Sequence, residues 1–216
     1  MYILKTIYRP IVGLLMITTL FLDIGDILLT NGWGHEFRRL TAEKFQLDLP
    51  EMNARHSLTF ETYELGKLTL DEYLNHMVFY EPRSFSKDTF RDFMFAQSKS
   101  YPEMIALIVA LKKQYGLKIA VVNNEGRELN DYRIEKFKLT SFVDFFISSS
   151  AVHMRKPDKD IFKVALDMAH VAAAEVVYID DQPMFVSVAE SLGIKGIHHL
   201  SYADTCKKLD SFGLKI

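Results

Sequence analysis

The chain has 216 residues, 49% of them apolar and 25% charged, with a net charge of -2. This composition fits one folded core carrying an insert and excludes a disordered polyelectrolyte, and the scattered basic residues leave no electrostatic footprint for nucleic acid or an anionic membrane. A single cysteine, Cys206, excludes an internal disulfide and a thiolate zinc cluster and points to a reducing, cytoplasmic compartment.

Residues 1–15 place Lys5 and Arg9 ahead of an apolar run with the outline of a signal peptide. That run, from Ile11 to Leu22, has no small-residue cleavage site and is too short to span a bilayer. Residues 1–15 therefore read as an N-terminal extension with Met16 as an alternative start, and no membrane partner is expected. Thr18 to Leu22 is β-prone and apolar throughout, as in a strand buried on both faces, and it ends in Asp23-Ile24-Gly25-Asp26. An ionised side chain at that point must be solvated, paired or metal-bound. In open α/β sheets the carboxyl edge of the strands is where ligands gather, which makes Asp23 a candidate for chemistry; an ordinary Asp-Gly turn is the structural alternative.

From His35 to Ser98 apolar and charged residues interleave at helical spacing, predicting four amphipathic helices. Asp48-Leu49-Pro50, Gly66-Lys67-Leu68 and the stretch Pro82 to Ser86 separate them, and Thr69 with Glu72 forms a capping box that starts the third. Beyond Pro102 helix and strand alternate. Strands are predicted at Leu117–Val122, Phe142–Ser148, Val176–Ile179 and Ile194–His199, with helices at Pro102–Tyr115, Arg127–Phe137, Pro157–His170, Pro183–Leu192 and Tyr202–Phe212. This order implies a doubly wound α/β fold with a mostly parallel sheet, helices on both faces and a small four-helix insert after the first strand. No glycine-rich phosphate loop is present.

Three predicted strands end in polar groups at one edge: Asp23, then Asn123 with Asn124 and Glu125, then Asp180 with Asp181, while Arg155-Lys156-Pro157 sits in a loop before a helix. Carboxylates crowded at one mouth repel unless a cation lies between them, and an all-oxygen set favours magnesium. In order and spacing, LFLDIGD, IAVVNN, RKPDKDIF and VVYIDDQP resemble the motifs of the haloacid dehalogenase-like hydrolase superfamily, with the helical insert where that family has its cap.

The resemblance implies an extension at 1–15, a core of residues 16–32 and 99–216, and a cap of residues 33–98. It implies Asp23 as nucleophile, Lys156 orienting it, and Asn123 with the main-chain N–H of Asn124 on the phosphoryl group. Mg2+ would be held by Asp23, the Gly25 carbonyl and Asp181, with Asp180 as support or alternative ligand. The substrate would be a small phosphorylated molecule, and the protein a monomer or homodimer. Hydrolysis at carbon by the same aspartate, as in dehalogenation, and a non-catalytic binding role are the alternatives.

Three residues depart from the family pattern. Gly25 stands where the acid-base aspartate is usual, Asn123 replaces a hydroxyl, and Phe185 replaces a polar residue near the metal. Glu125 or a residue of the cap is a candidate for the missing acid and base, and Trp33 and Arg39 are candidates for substrate contact. Adjacent His198 and His199 would point to opposite faces of a strand, so a structural role is expected of them. Met94 and the phenylalanines around it are expected to be core.

Overall fold

The computed structural model describes residues 16–216; the expectations for residues 1–15 lie outside the described residues. Strand β1 (Thr19–Leu22) sits at the centre of a five-stranded, all-parallel sheet whose other strands are β2 (Lys118–Asn123), β3 (Phe145–Ser148), β4 (Val176–Asp180) and β5 (Lys195–His198). The order is β3-β2-β1-β4-β5, so the chain leaves β1 toward β2 and later returns to its other side with β4. Such a reversal opens a crevice at the carboxyl ends of β1 and β4.

Period-two alternation divides the strand side chains between two apolar layers. Leu20, Leu22, Ile119, Val121, Val177 and Ile179 pack with α5 (Pro102–Tyr115) and α10 (Tyr202–Ser211). Phe21, Ala120, Val122, Ile147 and Tyr178 pack with α8 (Lys159–Ala169) and α9 (Pro183–Glu190). With both faces covered, the strands are continuously apolar, the pattern that parallel sheets show. Among the described residues no helix is long and apolar enough to cross a membrane.

Between β1 and α5 lie α1 (His35–Phe45), α2 (Leu49–Glu64), α3 (Leu70–Met77) and α4 (Lys87–Ala96). Thr69 makes the expected reciprocal cap with Glu72, and Asp48 and Ser86 cap α2 and α4. These helices bury an apolar cluster of their own, including Trp33, Tyr63, Tyr73, Phe90 and Met94. Leu129 of α6 (Arg127–Lys136) belongs to the same cluster, so the insert is anchored on the core rather than tethered beside it. The Tyr63 and Tyr73 rings stack, their centroids 4.9 Å apart.

Two of the differences from the sequence expectation have a local cause in the structure. The third strand starts at Phe145, because Leu139–Ser141 form a 3-10 turn and Asp144 then binds Ile119 of β2 through both its main chain and its carboxylate. A short helix, α7 (Ser149–Val152), follows β3 directly, and α8 begins at Lys159 because Asp158 caps it.

Close approach between insert and core depends on two glycines. Gly66, at φ +66, lies so near the Ser150 carbonyl that a Cβ would stand 2.2 Å from it. A Cβ on Gly126 would stand 2.0 Å from the Tyr63 ring, which its stacking partner prevents from retreating. Gly126→Ala should therefore cost about 1–3 kcal/mol of stability, read as a lower urea midpoint at unchanged slope.

Candidate active site

The N–H of Asp23 donates to the Ile179 carbonyl at 3.0 Å, extending the β1–β4 ladder one residue past Leu22. Because Leu22 pairs with both Val121 and Ile179, Asp23 comes level with Asp180 and one residue short of Asn123. Lys156 reaches this edge from the loop before α8. The Asn124 amide brackets its main chain, donating to the Lys156 carbonyl at 2.9 Å and accepting from the Lys156 N–H at 2.8 Å.

All three protons of the Lys156 ammonium are committed: to Asp23 Oδ1 at 2.8 Å, Asp180 Oδ2 at 2.7 Å and Tyr178 Oη at 3.0 Å. The Phe185 ring centroid lies 5.0 Å from Nζ, so this aromatic residue faces the cation with its π-cloud where the family pattern has Asp or Asn. Burial works against the ammonium, but Asp23 and Asp180 outweigh it and hold its pKa above the ordinary value. For Asp23, burial dominates over Lys156, and Asp180 and Asp181 add repulsion; its pKa lies above the usual carboxylate range. Asp181 is raised as well, by burial first and by Asp180 second.

Asp180 is fully buried, and both its oxygens are spent. Oδ2 takes Lys156 and the Tyr178 hydroxyl, and Oδ1 takes the Gln182 N–H at 2.7 Å. With its oxygens so occupied, Asp180 anchors Lys156. Asp23 Oδ2 and Asp181 Oδ1 make no hydrogen bond among the described residues, whereas Asp181 Oδ2 accepts from the Gln182 side chain at 2.5 Å. No three His, Cys, Asp or Glu side chains converge as a cage among the described residues. Two hard carboxylates that repel each other nevertheless suit magnesium, which takes one or two carboxylates and fills its remaining positions with water and substrate oxygens.

Beside Asp23 opens a cavity of about 160 Å³. Asp23, Gly25, Asn123 and Glu125 form its sheet side, and Trp33, Arg38, Phe60 and Glu64 the side toward the insert. Glu125 is not free to act there: it is clamped to Arg133 at 2.5 Å, and Arg133 also binds the carbonyl of Asn31 and the Ser98 hydroxyl. Glu64 is similarly bound to Arg155 at 2.6 Å.

Asn123 lies in the cavity wall with its Nδ2 donating to Asn130 Oδ1 at 3.0 Å, and its own Oδ1 is buried without a partner among the described residues. Turning both amides end for end would keep that bond and present Nδ2 as a donor. Asp26 adopts a left-handed conformation at φ 53 and accepts from the Asn31 N–H, so it lines a different cavity with Tyr101 and Asp181.

Arg39 does not reach the site. It lies on the outer face of α1 in ion pairs with Glu36 and Glu43, and its neighbour Arg38 takes the inward position that was expected of it, as the helical period dictates. His198 and His199 bond to the Asp181 carbonyl and the Thr205 hydroxyl. Tyr178 was missed in the sequence, although strand alternation places it on the same face as Asp180. By sequence, Arg38 is among the insert residues whose position allows them to line the entrance, with Arg39 preferred to it, whereas Arg133 carries no sequence signal that separates it from a solvated helical arginine.

A sequence profile described as "Haloacid dehalogenase-like hydrolase" matches residues 39–198. The chain belongs to this family. Among curated relatives, it is 26% identical to the sesquiterpene phosphatase astK of Aspergillus oryzae over 71% of this chain and 79% of that one. It is 31% identical to rat bifunctional epoxide hydrolase 2 over 60% of this chain but only 24% of that protein. A HAD family enzyme from Bacteroides thetaiotaomicron, solved in complex with magnesium and inorganic phosphate, superposes with a TM-score of 0.72 at 20% identity, covering 84% of this chain and 93% of the other.

Burial raises Glu125 from its ordinary 4.5 to about 7, with Arg133 opposing. A carboxylate raised on folding contributes stability that is complete below its unfolded value and is lost as pH climbs through the folded one. Without metal, the melting temperature should therefore fall between about pH 4.5 and pH 7. Glu125→Gln should melt lower overall, because it leaves Arg133 unpaired, yet show a shallower slope across that interval; an unchanged slope in thermal melts would reject the assignment.

Proposed function

We propose that the chain is a magnesium-dependent phosphatase acting on a small phosphorylated metabolite through an aspartyl-phosphate at Asp23. The observation that carries this reading is the division of labour at Asp23: Lys156 holds Oδ1, while Oδ2 is unbonded beside Gly25 in the cavity wall. The similarly folded Bacteroides enzyme, solved with magnesium and inorganic phosphate, supports a phosphoryl substrate by analogy of fold. A cavity of about 160 Å³ favours a small one, since pockets for drug-sized ligands run from about 300 Å³ upward.

Asp23 Oδ2 attacks phosphorus, the bond from phosphorus to the leaving oxygen breaks, and the electron pair departs with that oxygen. Water then attacks phosphorus, releasing phosphate and restoring the carboxylate. Lys156 keeps the nucleophile aimed and partly offsets the charge of the arriving phosphoryl group. Asn123 donates to a phosphoryl oxygen after its amide turns. Magnesium, held by Asp23, Asp181 and the Gly25 carbonyl, would neutralise phosphoryl charge when bound. Residues 33–98 act as the cap that closes over the core formed by 16–32 and 99–216.

Gly25 supplies no acid for the leaving group, a loss worth about 100-fold to 10,000-fold for an alkoxide. Substrates whose leaving group is a stable anion are therefore favoured. A Cβ at Gly25 would lie 3.4 Å from Asp23 Oδ2, ordinary contact, so a side chain can be accepted there.

Phosphate release from p-nitrophenyl phosphate and acetyl phosphate should require magnesium and fall by about 1,000-fold or more in Asp23→Asn. Halide release from a 2-haloacid without metal, in place of phosphate release, would overturn the reading. Gly25→Asp should raise kcat for an alkyl phosphate relative to p-nitrophenyl phosphate by about tenfold or more. An unchanged ratio would show that another group already protonates the leaving oxygen.

A further inference from the structure

The cavity beside Asp23 contains a cation that the phosphoryl chemistry does not use. Its two other acidic wall residues are already neutralised, Glu64 by Arg155 at 2.6 Å and Glu125 by Arg133 at 2.5 Å. Arg38 is in the opposite situation. It forms no ion pair among the described residues; Nε donates to Asn53 Oδ1 at 2.9 Å and Nη1 to the Trp33 carbonyl at 2.7 Å. These neutral acceptors fix the plane of the guanidinium without cancelling its charge. Nη2 makes no hydrogen bond among the described residues and is not sealed from solvent.

Partial burial without a carboxylate is unfavourable for a cation, and it pulls the Arg38 pKa below its ordinary value. Arginine still stays charged, and its planar fork matches carboxylate and phosphate oxygens. The wall around it offers no free rival anion, since Trp33 and Phe60 are aromatic and Glu64 and Glu125 are each paired with an arginine. An arginine held this way on the insert, across a small cavity from the nucleophile, is an unfilled anion-binding position.

We propose that Arg38 binds a second anionic group of the substrate, a carboxylate or a second phosphate, and so restricts the enzyme to small phosphorylated compounds that carry two anionic groups. The inference rests on Asp23 being the phosphoryl-receiving group. Both sources present the same chemistry to the guanidinium, two oxygens sharing negative charge. If the second group is a phosphate joined directly to the first, the leaving group is already a stable anion, which also suits Gly25.

The test is calorimetric, on the Asp23→Asn protein with magnesium, so that binding is read without turnover. Its three ligands are phosphoglycolate, pyrophosphate and ethyl phosphate, the last having no second anion. At least one of the first two should bind about tenfold to hundredfold more tightly than ethyl phosphate, the size expected of a charge-assisted hydrogen-bond pair. Which of them prefers the site identifies carboxylate or phosphate. The preference should disappear with Arg38→Met and survive in part with Arg38→Lys.

Equal binding of all three ligands, no binding of either doubly anionic ligand, or a preference that persists without Arg38 would overturn the proposal. Arg38→Gln, which retains donors for Asn53 and Trp33, provides the same reading if the methionine variant does not fold. Wild-type protein that releases phosphate from none of the three, while the binding preference holds, would reject the phosphatase reading and leave the anion site standing.

Discussion

Everything at the carboxyl edge of the sheet depends on one ammonium ion placed between two carboxylates. Lys156 is almost completely buried, and so is Asp180; neither charge would be tolerable alone. Removing one partner of such a buried set generally costs about 3–5 kcal/mol, because the remaining charge is left without water or counter-ion. The cluster also divides the carboxylate oxygens: Lys156 takes one oxygen of Asp23, leaving the other without a hydrogen bond among the described residues, and it takes one oxygen of Asp180. Tyr178 and Phe185 complete the enclosure with a hydroxyl and an aromatic face.

A second buried framework joins the insert to this edge. Arg133 of α6 binds Glu125, the main-chain carbonyl of Asn31 and the Ser98 hydroxyl, so one side chain connects the loop after β1, the segment before α5 and the loop after β2. Gly32 is required beside it, since at φ +76 a Cβ would collide with the guanidinium. Ser149, Glu64 and Arg155 make a parallel connection between the end of α2 and the core. The cavity is small because these two frameworks draw the helices down over Asp23. For Asp23 in its proposed role, a position held this rigidly lowers the cost of alignment, and positioning is a main part of what a protein contributes to phosphoryl transfer.

Much of this was legible in the sequence where a local rule applied. Apolar runs ending in acid located β1 and β4, alternation of helix and strand predicted a parallel sheet, and Thr69 with Glu72 located the start of α3. Convergence of Asp23, Asn123 and Asp180 followed from parallel strands sharing an edge, while the loop residue Lys156 was placed there only by the resemblance of its motif. Errors arose where the outcome depends on rotation or partner choice. Arg39 and Arg38 are adjacent on one helix, and only the packing of α1 on α2 decides which is turned inward. Glu125 looks like an available acid until Arg133 is found against it, eight residues away along the chain.

The sequence by itself determined the fold class and the identity of the residues at the strand ends, because periodicity and strand-end chemistry are local properties that every strand carries with it, and the resemblance of its four motifs pointed to the family. Only the tertiary structure decided which of two neighbouring aspartates is sealed under Lys156 and which keeps an unbonded oxygen, which glutamates are neutralised by arginines, and that Arg38 alone lacks an acidic partner in the cavity wall. Those outcomes are set by distances between segments far apart in sequence. A charge is defined chemically by its partner, and the partner is chosen by packing.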